Sequence, residues 1–264
     1  MAKKTLILPA EHGTWSWLLV PYGVGVGVAG RFDLAALLVL VGGLSAFFAR
    51  QPATVWLRVR QGRGRAADGP AAARWTAGLA ILALLCLVVL LALGRTAVLW
   101  LAAPLVVVMV FYLAAARLGR AHTRSLWMEV AGAAGLAGMA PAAYVAATGR
   151  LDNTAWALWI ILAVQNVLGV LYVRLRIADT HQRPLDRATV LAGHAIGLAA
   201  VALAGLMRQW PWLFPLPFIG FLARAAWAVA RPRPIAAIKR FGFTEVGVEI
   251  ASGLYLIATL RLLN

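Results

Sequence analysis

Acid is what this sequence most lacks. Nine Asp and Glu stand against 25 Lys and Arg, charged residues make up only 13% of the 264, and cysteine occurs once. The lone Cys86, set in an apolar run, allows no internal disulfide and leaves the redox compartment open. The histidines are also few. His12, His122, His181 and His194 fall in four separate segments with no cysteine beside them, so no metal centre is expected. There is no Walker A loop, no GxSxG elbow and no dinucleotide fingerprint, which removes the common nucleotide-binding and serine-hydrolase readings.

What is present is apolar surface. Hydrophobic residues make up 62% of the chain and its mean hydropathy is +0.83, outside the range of ordinary soluble domains. A bilayer core about 30 Å thick is crossed by roughly 20 apolar residues in a helix, because each backbone N–H and C=O must be satisfied within the segment. Apolar runs fall at 13–30, 33–49, 75–93, 96–114, 127–148, 154–173, 188–206, 212–230 and 243–263. The expected fold is therefore all-α: one transmembrane domain over residues 1–264, built as a nine-helix bundle. The amino terminus opens with Lys3 and Lys4 like a signal peptide, but Pro9, Glu11 and His12 interrupt its apolar stretch, and it reads as retained mature sequence.

The formal charge of +16 would suggest nucleic acid in a soluble protein. Here the basic residues sit between apolar runs, and orientation in the membrane accounts for them without a nucleic-acid partner. With an odd helix count, Arg31, Arg95, Arg150, Arg208 and Arg261 fall on one side, and the other 20 Lys and Arg on the other. A miscounted helix would scramble that alternation. The expectation is a multi-pass protein of the inner, cytoplasmic membrane, with its amino terminus in the cytoplasm and its carboxyl terminus outside. The segments 50–74 and 174–187, rich in Arg, would be the roomiest cytoplasmic connections.

Ionisable residues at membrane depth are expensive, so each needs a reason. At the first helix entrance Glu11 and His12 have two readings: interfacial residues beside the aromatic belt of Trp15 and Trp17, or a pair that transfers a proton or orients a ligand. Glu129 reads as the partner of a nearby Arg. Glu245 and Glu249, four apart, share a helix face and repel unless a cation or ligand lies between them. Gln165 and Asn166 lie inside an apolar run that leads to Arg174, Arg176, Asp179 and His181, where Asp179 reads as a local ion pair of Arg176. The sequence Trp56-Leu57-Arg58-Val59-Arg60 is echoed by Tyr172-Val173-Arg174-Leu175-Arg176, five positions of a faint repeat. Gly23, Gly27 and Gly30, with Gly132, Gly135 and Gly138, read as small-residue helix contacts.

Two resemblances add to this. The entrance PAEHGTWSWLLVP and the segments ARQPATVWLR, GVLYVRLRIAD and KRFGFTEVGVEI resemble the YwiC-like family of bacterial membrane proteins, with the EHGTW stretch the most specific. That resemblance implies a multi-pass membrane protein. In architecture, nine helices with polar loops after the second and sixth are similar to the UbiA superfamily of intramembrane prenyltransferases, in which Asp-rich motifs in those loops hold magnesium on a prenyl diphosphate. This chain departs from that pattern. No acidic residue lies between Ser45 and Ala67, and the second loop keeps only Asp179 and Asp186, so a magnesium-diphosphate site of the Asp-rich kind is not expected.

Arginine in place of those carboxylates changes what a cavity would hold, because guanidinium binds phosphate or carboxylate without a metal. The candidate ligand-binding residues are Arg50, Arg58, Arg60, Asn166, Arg174, Arg176, Asp179, His181, Glu245 and Glu249, with Glu11 and His12 as candidate catalytic residues. The reading is an integral membrane protein that binds or modifies an anionic isoprenoid or lipid at a cytoplasm-facing pocket. A small-solute or ion transporter, and a non-catalytic partner of another complex, are the alternatives.

Overall fold

The computed structural model of the protein describes residues 15–119 and 125–263. Nine apolar helices account for nearly all of them: α1 Ser16–Ala29, α2 Leu34–Arg60, α3 Gly69–Ala92, α4 Val98–Leu118, α5 Leu126–Thr148, α6 Asn153–Thr180, α7 Arg187–Leu206, α8 Leu216–Ala230 and α9 Ile238–Leu263. No strand occurs among the described residues. Seven of the nine are long and apolar enough to cross a membrane, and α1 and α8 are shorter apolar helices. The all-α, nine-helix expectation holds among the described residues, and the chain is a multi-pass membrane protein.

The helices outrun the apolar stretches that announced them. α2 continues through Pro52 to Arg60, α6 continues to Thr180, and α3 begins at Gly69 after a 3-10 turn over Ala66–Asp68. Hydropathy marks where hydrocarbon contact ends, and a helix needs no apolar residue beyond that point. Long Arg side chains can lie along its last turns with their heads in water. The expected open loop over 50–74 is therefore a short turn between two long helices.

Scarce acids are spent on helix starts. Asp33 accepts a hydrogen bond from the Ala36 amide at 2.9 Å, and Asp152 accepts from the Ala155 amide at 3.1 Å. Asp186 accepts from the Ala188 amide at 3.0 Å, and the hydroxyl of Ser125 accepts from Met128. These start α2, α6, α7 and α5, each satisfying an amide the helix itself cannot.

The α1–α5 pair is the spine. In the second half of α5, Ala140, Ala142, Ala143, Ala146 and Ala147 are all buried, and small side chains let backbones approach. The contact is closest at Gly25, where an added Cβ would stand 2.1 Å from the Ala140 carbonyl oxygen. Two apolar cores flank the pair. One gathers Leu18 and Tyr22 with Val39, Phe47 and Leu101; the other gathers Val24 with Ile161, Leu162, Phe218 and Leu256. On the outside, α3 and α4 are covered with exposed Leu, Val and Trp, as lipid-facing helices should be. The expected glycine contacts are met in part: Gly27 faces Ile257 of α9 and Gly135 faces Leu105 of α4. Gly23 and Gly132 meet nothing within 4 Å, and Gly30 ends α1 in a left-handed conformation.

Gly25→Ala should separate α1 from α5 and lower the SDS-unfolding midpoint in mixed micelles by the equivalent of about 1–3 kcal/mol. Gly23→Ala, the same change on an open face, should leave the midpoint unchanged or slightly raised.

Candidate functional site

α1, α6 and α9 meet at the end of the bundle where α1 and α9 begin and α6 finishes, and most of the polar side chains of the interior are there. Asn166 donates to the Trp17 carbonyl at 3.2 Å and the Ala133 carbonyl at 3.0 Å, tying α6 to α1 and α5. Ser252 of α9 donates to the Gln165 side-chain oxygen at 2.7 Å. These are the partners that a buried amide needs inside a membrane bundle.

The carboxylates follow the same logic. Glu129 and Arg174 pair at 2.7 Å between α5 and α6. Glu245 of α9 pairs with Arg224 of α8 at 2.8 Å, and the Arg224 guanidinium also lies over the Tyr172 ring, 4.3 Å from its centroid. Arg176 acts on Glu245 from farther off. Glu249 does not share that arginine. It accepts hydrogen bonds from the side chains of Ser16 and Trp17, leaving its Oε2 buried and without a partner. The two glutamates four apart still repel, but each has its own hydrogen-bond partners, and the charge of Arg224 acts on both. Deeper still, His194 of α7 is fully buried, with Nδ1 against the Val190 carbonyl at 2.8 Å and Nε2 without a partner.

Asp179 stands outside this hub, in the last turn of α6. Its side chain is 1% exposed, pairs with Arg187 of α7, and lies 4.0 Å from Arg176. The expected Arg176–Asp179 pair is therefore present, with Arg187 as the closer partner. Two connections run beside it, 181–186 and 231–237, joined by the Ile235 amide donating to the Thr180 hydroxyl at 2.9 Å. Between them is an open cleft of about 550 Å³. Asp186, exposed at the start of α7, accepts from the Thr189 hydroxyl and from backbone amides, which holds its carboxyl below the usual carboxylate range.

The other candidate residues lie apart from this group or outside view. Glu11 and His12 lie outside the described residues. Arg50 stacks over Phe47 and Tyr112, and Arg60 over Trp56. Arg58, near the end of α2, has no carboxylate at ion-pair distance among the described residues. His181 follows α6 and is exposed. Among the described residues no three His, Cys, Asp or Glu side chains come together as a metal ion would require. Of the expected site residues, Arg176 and Asp179 lie 4.0 Å apart, Glu245 pairs with Arg224 and Glu249 is held by Ser16 and Trp17, while no described contact joins Arg50, Arg58 or Arg60 to them. The expectation missed Arg224, Arg187 and His194. The signal for Arg224 was available, since an Arg inside an apolar run needs a carboxylate at equal depth, and Glu245 is one.

Arg224→Met should leave the Glu245 carboxylate buried and unpaired, costing about 3 kcal/mol in the same unfolding assay. Adding Glu245→Met should recover much of that loss, because the pair removed together leaves no orphan charge.

A family model described as YwiC-like protein matches residues 8–144, from the chain before α1 through most of α5. No curated protein and no solved structure matches the chain. The matched span takes in the α1–α5 spine and the EHGTW entrance, while the hub residues on α6, α8 and α9 lie beyond it. It covers more than half of the sequence, and this multi-pass helical protein belongs to the YwiC-like family.

Proposed function

We propose that the protein binds an anionic amphiphile, an isoprenoid phosphate or acidic lipid, at the end of the bundle where α2 and α6 finish and α9 begins. One observation carries this reading: among the described residues, the carboxylates at that end other than the exposed Asp68 are already committed. Glu129, Asp179 and Glu245 each hold an Arg, Asp186 caps a helix, and Glu249 is held by Ser16 and Trp17. Arginines outnumber them severalfold, so Arg58, Arg60, Arg183 and Arg233 are left as cations that a ligand can neutralise. In this reading Arg176 and Arg58 face the anionic group, and Glu11 with His12 orient the ligand or move a proton. If chemistry follows, it is that of a UbiA-like transferase working without Asp-rich magnesium motifs.

The same reading sets orientation. The Arg-rich end faces the cytoplasm of the inner membrane, the amino terminus is inside and the carboxyl terminus outside, on the strength of the 20-to-5 charge asymmetry. A transporter is the second reading, and the buried polar stripe of α9, Glu249, Ser252 and Thr259, is what favours it. Counterflow of an ion or solute across proteoliposomes, abolished by Glu249→Gln, would move the assignment there.

Purified in mild detergent, the protein should carry an acidic lipid or isoprenoid phosphate in native mass spectra, out of proportion to its abundance in the membrane. Retention of bulk zwitterionic phospholipid alone would contradict the proposal. With Cys86 replaced by Ala, a cysteine introduced at position 63 should stay unlabelled by an impermeant maleimide on intact cells, while one at position 150 reacts. The reverse pattern would overturn the orientation.

A further inference from the structure

The cleft between the α6–α7 and α8–α9 connections has features that the positive-inside rule does not require. Its walls carry Arg183 and Arg187 on one side, Arg233 on the other, and Asp179 at its inner edge. Pro184, Pro232 and Pro234 restrict both connections, and the Ile235 amide ties the second of them to Thr180, the last residue of α6, where the first begins. Arginines that only oriented the chain would be free to point anywhere. Here three of them converge on one space.

The unsatisfied atoms indicate what the space takes. Arg187 gives one nitrogen to Asp179, and its Nη1 is buried with no hydrogen-bond partner. Asp179, 1% exposed, has its Oδ2 buried with no hydrogen-bond partner either, beyond the distant charge of Arg176. A completing group must therefore accept hydrogen bonds from several guanidinium groups and also donate one. A carboxylate accepts only. A phosphate diester has no acidic O–H. A phosphate monoester does both, since its second ionisation near pH 6 leaves a protonated oxygen on a fraction of the molecules near neutrality. The charge of Asp179 does not repel it, because Arg187 and Arg176 already offset that charge.

We propose that this cleft is a phosphomonoester site in which Arg183, Arg187 and Arg233 hold the anionic oxygens and Asp179 Oδ2 accepts from the remaining O–H. The proposal rests on the anionic-amphiphile reading and deepens it, naming the headgroup class and seating it in this cleft rather than against Arg58 and Arg176. The phosphate could belong to a membrane lipid or be free in solution, and the chemistry of the cleft is the same for both.

The test measures binding of dioctanoyl phosphatidic acid, dioctanoyl glycerol and inorganic phosphate to the full-length protein in detergent, by isothermal titration calorimetry. Wild type is compared with R183Q/R233Q and with R65Q/R74Q, a pair that removes the same charge from exposed positions on the α2–α3 side of that end. The expected result is that phosphatidic acid binds wild type and R65Q/R74Q within about twofold of each other. R183Q/R233Q should bind it at least about tenfold more weakly, the loss of two charge-assisted contacts, and the uncharged glycerolipid should not bind. Inorganic phosphate that competes with phosphatidic acid identifies a headgroup site open to free phosphate. Phosphate that does not compete, with the lipid still lost in R183Q/R233Q, assigns the site to lipid. Equal losses in both double variants would overturn the cleft, since net charge alone would then govern binding. Unchanged phosphatidic acid binding in R183Q/R233Q would also overturn the cleft and leave the broader reading standing. Failure of wild type to retain any anionic amphiphile would remove both. Arg187 is left intact in these variants because its bond to Asp179 supports the α6–α7 contact. A fluorescence-detected melting curve that matches wild type confirms that R183Q/R233Q is folded.

Discussion

A charge inside a bilayer has to be paired, and this chain has very few acids with which to do it. Of the eight described Asp and Glu residues, Asp33, Asp152 and Asp186 cap helices, and Glu129, Asp179 and Glu245 join helices through Arg. Glu249 is held by Ser16 and Trp17, and Asp68 lies in the exposed turn before α3. The interior ion pairs therefore fall at one end. Single Arg–carboxylate links join α5 to α6, α6 to α7, and α8 to α9 there, while the opposite end is closed by packing and by helix caps.

That economy connects fold to function. Because seven of the eight described acids are held by other groups of the protein, exposed arginines at the same end such as Arg183 and Arg233 can be neutralised by an anion. The backbone contact of Gly25 with Ala140 fixes α1 against α5, and so places Ser16 and Trp17 where Glu249 needs donors. Loss of that close approach would loosen both the spine and the polar hub built on it. Arg224 has a comparable place: it pairs with Glu245, covers Tyr172, and its charge reaches His194 and Glu249, so one guanidinium on α8 acts on titratable groups from three other helices.

Helix number and the depth of the polar residues could be read from hydropathy and charge, because the bilayer imposes both on the chain regardless of tertiary detail. That Glu129 would pair with an Arg, the Arg176–Asp179 contact and the need of Gln165 and Asn166 for partners were legible for the same reason: each is the cheapest answer to a polar group at membrane depth. Partners distant in sequence were not. Arg224 lies in a short helix 21 positions before Glu245: the need of a buried Arg for a carboxylate could be read, but not which of the carboxylates at that depth meets it. The length of α2 was also hidden, since Arg58 and Arg60 look like loop residues until the helix is seen to carry them past the apolar zone. The cleft could not be seen at all, being made by two connections that only the packing of α6, α7, α8 and α9 brings side by side.

In the proposed function, one end of this bundle holds an anionic headgroup and the other does not. An electron cryomicroscopy map of the protein in nanodiscs containing acidic phospholipid tests that claim most directly. It should show an ordered phosphate-sized feature against Arg183, Arg187 and Arg233, with acyl density leading from it into the membrane and no counterpart at the opposite end. Lipid density distributed evenly around both ends, with the cleft empty, would contradict it.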